Sequence, residues 1–158
     1  MNIQANPIPS GFHTLTPHLI IKGASRAIDF YKNAFGAQEI SRLSGPDGKS
    51  IMHADLKIGD SHVFIVDESP EMGIRGPASI GATPVTIHMY VEDVDTAFGK
   101  AVGAGAQVRM PLADMFWGDR YGVVTDPFGH SWSLATHKED LTPQEISKRV
   151  QTLCGAPA

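Results

Sequence analysis

The sequence is poor in several things, and each shortage excludes something. It holds a single cysteine, Cys154, so an internal disulfide and a thiolate-cluster metal site are both excluded, which suits a reducing, cytoplasmic setting. That cysteine falls in an expected tail helix, far in sequence from any base that would activate it. Charged residues make up only 19% of the chain, and 13 Lys and Arg face 17 Asp and Glu for a net charge of −4. With no basic run, the chain is not expected to bind nucleic acid. No apolar run approaches the ~20 residues needed to span a membrane. The opening MNIQANPIPSG has neither a basic n-region nor an apolar h-region, so no secretory leader is expected. There is no glycine-rich phosphate loop, since Gly103-Ala104-Gly105 ends a helix instead of opening one. Ser61, Ser131 and Ser133 lack the Gly-x-Ser-x-Gly setting of an activated serine.

What is present is ordinary for a folded chain. A 42% apolar content over 158 residues allows one domain, or two small modules that share a core. Sixteen glycines and 11 prolines predict many turns.

Periodicity divides the chain. Residues 1–15 read as an irregular arm, broken by Pro7, Pro9 and Gly11. A strand over 16–22 leads into a helix over 24–36, with Ala27, Ile28, Tyr31, Ala34 and Phe35 on one face and Gly36 as its stop. Strand-like runs follow at 38–45, 50–59 and 61–68, separated by the turns Gly45-Pro46-Asp47-Gly48 and Gly59-Asp60. Residues 69–83 show no period and read as a linker. The pattern then restarts. A strand is expected over 84–92, a helix over 93–106 with Asp93 as its N-cap, a short strand over 107–111, a loop over 112–119, and strands over 120–126 and 131–137.

The two halves match at an offset of about 70 residues. Thr16-x-His18 lies over Thr86-x-His88, Ala27 over Ala97, Gly59 over Gly129 and Ser61 over Ser131. The order of elements implies a tandem β-α-β-β-β duplication, over residues 16–68 and 84–137. The tail, 138–158, stands apart. Thr142-Pro143-Gln144-Glu145 is a capping box with proline at the first helical position, and it predicts a helix over about 142–153.

These residues resemble a known family. HLIIKGASRAIDFYKNAFGA resembles the opening strand and helix of the vicinal oxygen chelate superfamily, which includes glyoxalase I, fosfomycin and bleomycin resistance proteins and extradiol dioxygenases. VTIHMYVEDVDTAFGKAVGAGAQV and DRYGVVTDPFGHSWSLATH resemble its closing module, with Asp126-Pro127-Phe128-Gly129-His130 as the turn before the last strand. The segment Met115–Gly122 resembles the PhnB-like branch. The resemblance implies an α+β fold, with tandem βαβββ modules forming a half-barrel around one cavity. It also implies a homodimer, some members exchanging modules. Where the superfamily uses a divalent metal, the first and last strands of each module supply His and Glu. Aligned here, those positions fall on Thr16, Val63, Thr86 and Ser133, none of which is a good ligand. No cofactor is therefore expected at the usual site. The alternative is a rearranged metal site using His18 and His88, which lie two residues further along the same strands and so share the faces of Thr16 and Thr86.

The remaining candidates are ligand-binding ones. Tyr90 shares the face of His88. Phe116 and Trp117 are large apolar residues in an expected loop, so they either wall a ligand cavity or fill a dimer contact. Arg120 either pairs with a neighbouring carboxylate such as Asp119 or Asp126, or binds an acidic ligand. The expected function is binding of a small apolar or aromatic molecule near His18, His88, Tyr90, Phe116, Trp117 and Arg120. The alternative is a metal-dependent lyase, isomerase or dioxygenase acting on vicinal oxygens.

Overall fold

A computed structural model describes residues 5–153 and 155. Cys154 lies outside them, as do the first four residues of the expected arm and the last three of the expected tail.

The first module runs β1 (His18–Ile21), α1 (Ala24–Phe35), β2 (Gln38–Ser44), β3 (Ile51–Ile58) and β4 (Ser61–Asp67). The second runs β5 (Thr86–Tyr90), α3 (Val94–Gly103), β6 (Gln107–Asp114), β7 (Asp119–Thr125) and β8 (Ser131–His137), and α4 (Pro143–Leu153) follows. The strands form two four-stranded sheets of identical order, β1-β4-β3-β2 and β5-β8-β7-β6. In each sheet the first strand pairs parallel with the last, His18 opposite Phe64 and His88 opposite Ser133. This is the tandem βαβββ arrangement that the duplication predicts.

Each sheet has one helix-covered face and one open face, because side chains alternate along a strand. Along β4, Val63 and Ile65 are buried under α1 while His62, Phe64 and Val66 point the other way. The helix-covered faces of both sheets share one core, which runs from Leu19 and Ile28 through Phe98 to Trp132 and Leu134. The modules meet through α1 and α3 and an aromatic cluster, in which Phe35 and Tyr31 pack on Trp132 at ring distances of 4.6 and 5.4 Å.

A buried carboxylate ties the joint together. Asp126, 3% exposed, accepts the Tyr31 hydroxyl at 2.6 Å and the Trp132 indole N–H at 2.9 Å. Its other oxygen accepts the backbone N–H groups of Phe128 and His130 at 2.9 and 3.0 Å. Burial and the adjacent Asp126 carboxylate push the Tyr31 phenol well above its ordinary value. The family turn is therefore also the bolt between modules.

The helix starts differ between the repeats. Asp93 caps α3 locally, accepting the Thr96 N–H at 3.1 Å, as its sequence position predicts. Gly23, before α1, has no capping side chain, and Asp67 at the end of β4 accepts the N–H groups of Gly23 and Ala24 at 3.0 and 2.8 Å.

Two expected irregular stretches are more ordered than their sequences imply. The segment 69–83 contains a 3-10 turn at Pro70–Met72, a helical turn α2 at Pro77–Ile80 and a bridge from Ser69 to Ile74. Both turns start on proline and close on a glycine of positive φ, Gly73 and Gly81, and are too short to carry a hydrophobic period. The expected loop over 112–119 shrinks to the turn between β6 and β7. Pro111 lies within β6, which a sheet edge permits because one side of that strand needs no donors.

His130 adds a pH dependence to the module joint. It is buried, and its Nε2–H donates to the Ile20 carbonyl of β1 at 3.2 Å. Burial holds the imidazole below its usual value, against the opposing pull of Asp126 and the Ile20 carbonyl. A lowered histidine favours the native state above about pH 6.5 and loses that advantage as the pH falls through the folded value. The urea midpoint is therefore expected to fall between about pH 7 and pH 5, and less steeply in His130→Gln, which keeps a donor but does not titrate. Equal slopes for the two proteins would contradict this role.

Candidate functional site

The open face of the second sheet carries Thr86, His88 and Tyr90 from β5, Ser131, Ser133, Ala135 and His137 from β8, and Asp119, Tyr121 and Val123 from β7. The register sets Tyr90 beside Ala135, Ala135 beside Tyr121, and His137 beside Asp119.

Asp119 organises this face. Only 5% exposed, it accepts the Tyr90 hydroxyl and the Trp117 indole N–H on one oxygen, each at 3.0 Å, and His137 Nδ1 on the other at 2.7 Å. Burial works against its ionisation. The bonds from His137, Tyr90 and Trp117 outweigh that, and the carboxyl sits below its usual range. His137 also reaches Asp140 at 2.9 Å, and Asp140 and Asp119 together raise its imidazole. The Asp119 bond raises the Tyr90 phenol as well.

The rings held this way form a wall. His88 meets Tyr90 edge to face at 4.6 Å and stacks on Tyr121 at 6.0 Å. Trp117 meets Tyr121 at 5.4 Å, and Phe116 meets Trp117 at 4.9 Å. Tyr90 is 63% exposed although its hydroxyl is fixed. A cavity of about 550 Å³ opens at the joint between the modules, where His88 and Tyr90 meet the helix-side residues Phe35, Val63, Met89 and Trp132. The turn that presents Trp117 depends on Gly118, whose φ is 101° and where a Cβ would lie 2.5 Å from the Glu139 carbonyl oxygen.

The structure brings together His88, Tyr90, Trp117 and Phe116 among the residues singled out from the sequence. It does not bring Arg120 to them. Arg120 alternates with Asp119 and Tyr121, so it turns to the helix side. There it pairs with Asp95 at 2.7 Å and Asp114 at 3.3 Å, carboxylates other than the Asp119 and Asp126 expected from sequence. His18 lies on the other sheet, where it borders a cavity of about 710 Å³ with Ile20, Met52, Val66, Met72 and Ile74. His18 and His88 thus belong to separate cavities instead of the single expected one.

The usual metal positions also resolve. Val63 is turned into the helix-side core at 4% exposure, so the open-face residue opposite β1 is Phe64. Thr86 is hydrogen-bonded to Ser131 at 3.0 Å, and Ser133 to His88 Nδ1 at 2.7 Å. The four open-face positions are then His18, Phe64, His88 and Ser133: two imidazoles on different sheets and no carboxylate. Among the described residues no three His, Cys, Asp or Glu side chains are grouped to hold a metal. Within one chain this donor set does not fit the family's metal.

Sequence reasoning missed Asp119 as a hub, and with it Tyr121 and His137. The available signal was period-two alternation along β7 and β8, which places Asp119 and Tyr121, then Ser133, Ala135 and His137, on common faces. It was obscured because residues 112–119 read as loop.

Comparison with known proteins agrees with the fold. The family model of the Glyoxalase/Bleomycin resistance protein/Dioxygenase superfamily matches residues 12–134. An uncharacterized protein of Mycobacterium tuberculosis, Rv0887c, is 50% identical over 135 residues, covering 84% of this chain and 79% of its own. The crystal structure of TioX from Micromonospora sp. ML1 superposes with a TM-score of 0.64 at 31% identity, over 79% of this chain and 98% of that one. The PhnB protein of Bacillus cereus superposes with a TM-score of 0.63 over 78% and 99% of the two chains; at 19% identity it speaks for the fold alone. The duplicated βαβββ modules, the Asp126–His130 turn and the family match lead to one conclusion: the chain belongs to the glyoxalase/bleomycin resistance/dioxygenase, or vicinal oxygen chelate, superfamily.

Proposed function

We propose that this protein binds a small, flat, apolar or aromatic molecule on the open face of its second module, without the family's metal. The observation that carries this reading is the Asp119 hub. A nearly buried carboxylate is committed to holding Tyr90, Trp117 and His137 in place, while the ring of Tyr90 stays largely exposed. Aromatic rings fixed at their polar ends present contact area with little conformational entropy left to lose on binding. His88 and Tyr90 also border the cavity at the module joint, whose volume of about 550 Å³ is of the size that small-molecule sites have. His88, with Ser133 on its Nδ1, adds a polar group to the wall.

The donor set argues against the metal-dependent alternative. Two imidazoles on separate sheets, with Phe64 and Ser133 in the carboxylate places, do not assemble a centre in one chain. A homodimer remains part of the proposal, because a second copy is what would cover an open sheet face such as this one. No described helix is long and apolar enough to cross a membrane.

Trp117 supplies the test. Titrating a panel of aromatic compounds into the protein is expected to give a saturable change in tryptophan emission for at least one of them. The change should shrink in Trp117→Phe, and the affinity should drop in Tyr90→Ala. Elemental analysis beside the titration is expected to find no stoichiometric metal that depends on His18 and His88. A panel without a single binder would sink the reading, and so would about one metal per chain that vanishes in the His18→Ala/His88→Ala double variant.

A further inference from the structure

We propose that the open face of the first module carries a separate ring-binding site, built by His62 and Phe64, that accepts a planar aromatic molecule, and that Phe12 of the N-terminal arm fills it as an internal stand-in.

The site is assembled as ligand sites are. Asp55 on β3, 7% exposed, accepts His62 Nδ1 on both oxygens, at 2.8 and 3.0 Å. The pair fixes the plane of the imidazole and so the ring face that a stacked partner meets. Phe64, the next residue on the same face, places its ring 4.7 Å from that of His53. The result is a polar ring held by a carboxylate, beside an apolar ring, on a sheet face that no helix covers.

Phe12 shows what fits. It stacks on His62 with ring centroids 3.9 Å apart and planes 18° from parallel, and it is tilted against Phe64 at 5.8 Å. Gly11 lies over the nitrogen edge, where a Cβ would come within 3.8 Å of His62 Nε2. Phe12 is no part of the hydrophobic core, which is built on the helix-covered faces. Its hold on the sheet is the stacking itself. The Phe12 N–H bonds the Pro9 carbonyl at 3.1 Å and so closes inside the arm. The backbone joins the sheet at Pro17, whose carbonyl accepts the Phe64 N–H at 2.9 Å. A tethered ring competes with any free one, so the affinity seen for an external ligand is lowered by the fraction of time the slot is empty.

This inference does not rest on the second-module site, and the experiment separates the two. Indole is titrated into the full chain and followed by the NMR resonances of the histidine rings. Phe12→Ala is expected to bind indole at least about tenfold more tightly than the unaltered protein, with His62 shifting. The gain should vanish in Phe12→Ala/His62→Gln and persist in Phe12→Ala/Tyr90→Ala. In the unaltered protein, saturating indole should move the ring resonances of Phe12, which reads displacement without any variant. The proposal is overturned if Phe12→Ala binds no more tightly, if the gain survives loss of His62 or depends on Tyr90, or if Phe12 does not move at saturation.

Discussion

Asp126→Ala is expected to destabilise the protein by about 3–5 kcal/mol, the range for removing one partner from a buried charged hydrogen-bond network. Four donors lose their acceptor at once: the Tyr31 hydroxyl, the Trp132 indole and two backbone N–H groups. None has water to turn to, because Tyr31 and Trp132 are each 1% exposed. At roughly 2–4 °C per kcal/mol for a chain of this size, the melting temperature should drop by about 10 °C. Tyr31→Phe removes one of the four bonds and is expected to cost about 1.5–3 kcal/mol. The two changes should be far from additive, since they delete the same interaction. Urea denaturation of the two single variants and the double one measures all three quantities. A loss below about 1 kcal/mol for Asp126→Ala would mean that the modules are held by apolar packing and not by the carboxylate.

Asp119→Ala, by contrast, should have its large effect on binding. The two aspartates look alike, each collecting a tyrosine hydroxyl and an indole N–H, but their donors differ in access to water. Tyr90 is 63% exposed and Trp117 only half-buried, so both can hydrate when the carboxylate goes. The stability cost should stay near 1–2 kcal/mol, about that of ordinary hydrogen bonds. Affinity for an aromatic ligand found through Trp117 is expected to fall about 10- to 100-fold, because two or three side chains must then be ordered on binding. The hub has a pH window as well. The lowered Asp119 carboxyl contributes above its unfolded value, about 3.9, and that contribution is lost as the pH falls through the folded value. The raised His137 contributes fully below about 6.5 and loses its part as the pH rises through its folded value. The hub should therefore stabilise the fold most in mildly acidic solution and less on the alkaline side, which urea midpoints across pH measure. An affinity indifferent to Asp119→Ala would remove the basis for placing the ligand on this face.

Much of the architecture was legible before any coordinates. The helix over 24–36 is observed as Ala24–Phe35, and the strand over 131–137 as Ser131–His137. Asp93 caps α3, and Thr142 with Glu145 forms the capping box of α4, the Thr142 N–H meeting Glu145 at 2.8 Å. These are local features, in which spacing, a cap or a glycine stop acts within a few residues. The family turn was equally visible. Its role was not, because Tyr31 and Asp126 are 95 positions apart.

The site divides along the same line. Alternation correctly put His88 and Tyr90 on one face, since a strand has period two whatever it packs against. The same alternation separates Arg120 from Asp119, but residues 112–119 read as loop and hid the phase of the strand. Sequence alone determined the superfamily and the duplicated βαβββ order. Only the tertiary structure decided which residues work together. It paired Asp119 with Tyr90 and His137, Asp55 with His62 and Phe12, and it set His18 and His88 beside different cavities. Those partners lie on different strands or on the arm, and only the register between strands and the packing of the two modules bring them within hydrogen-bond or stacking reach.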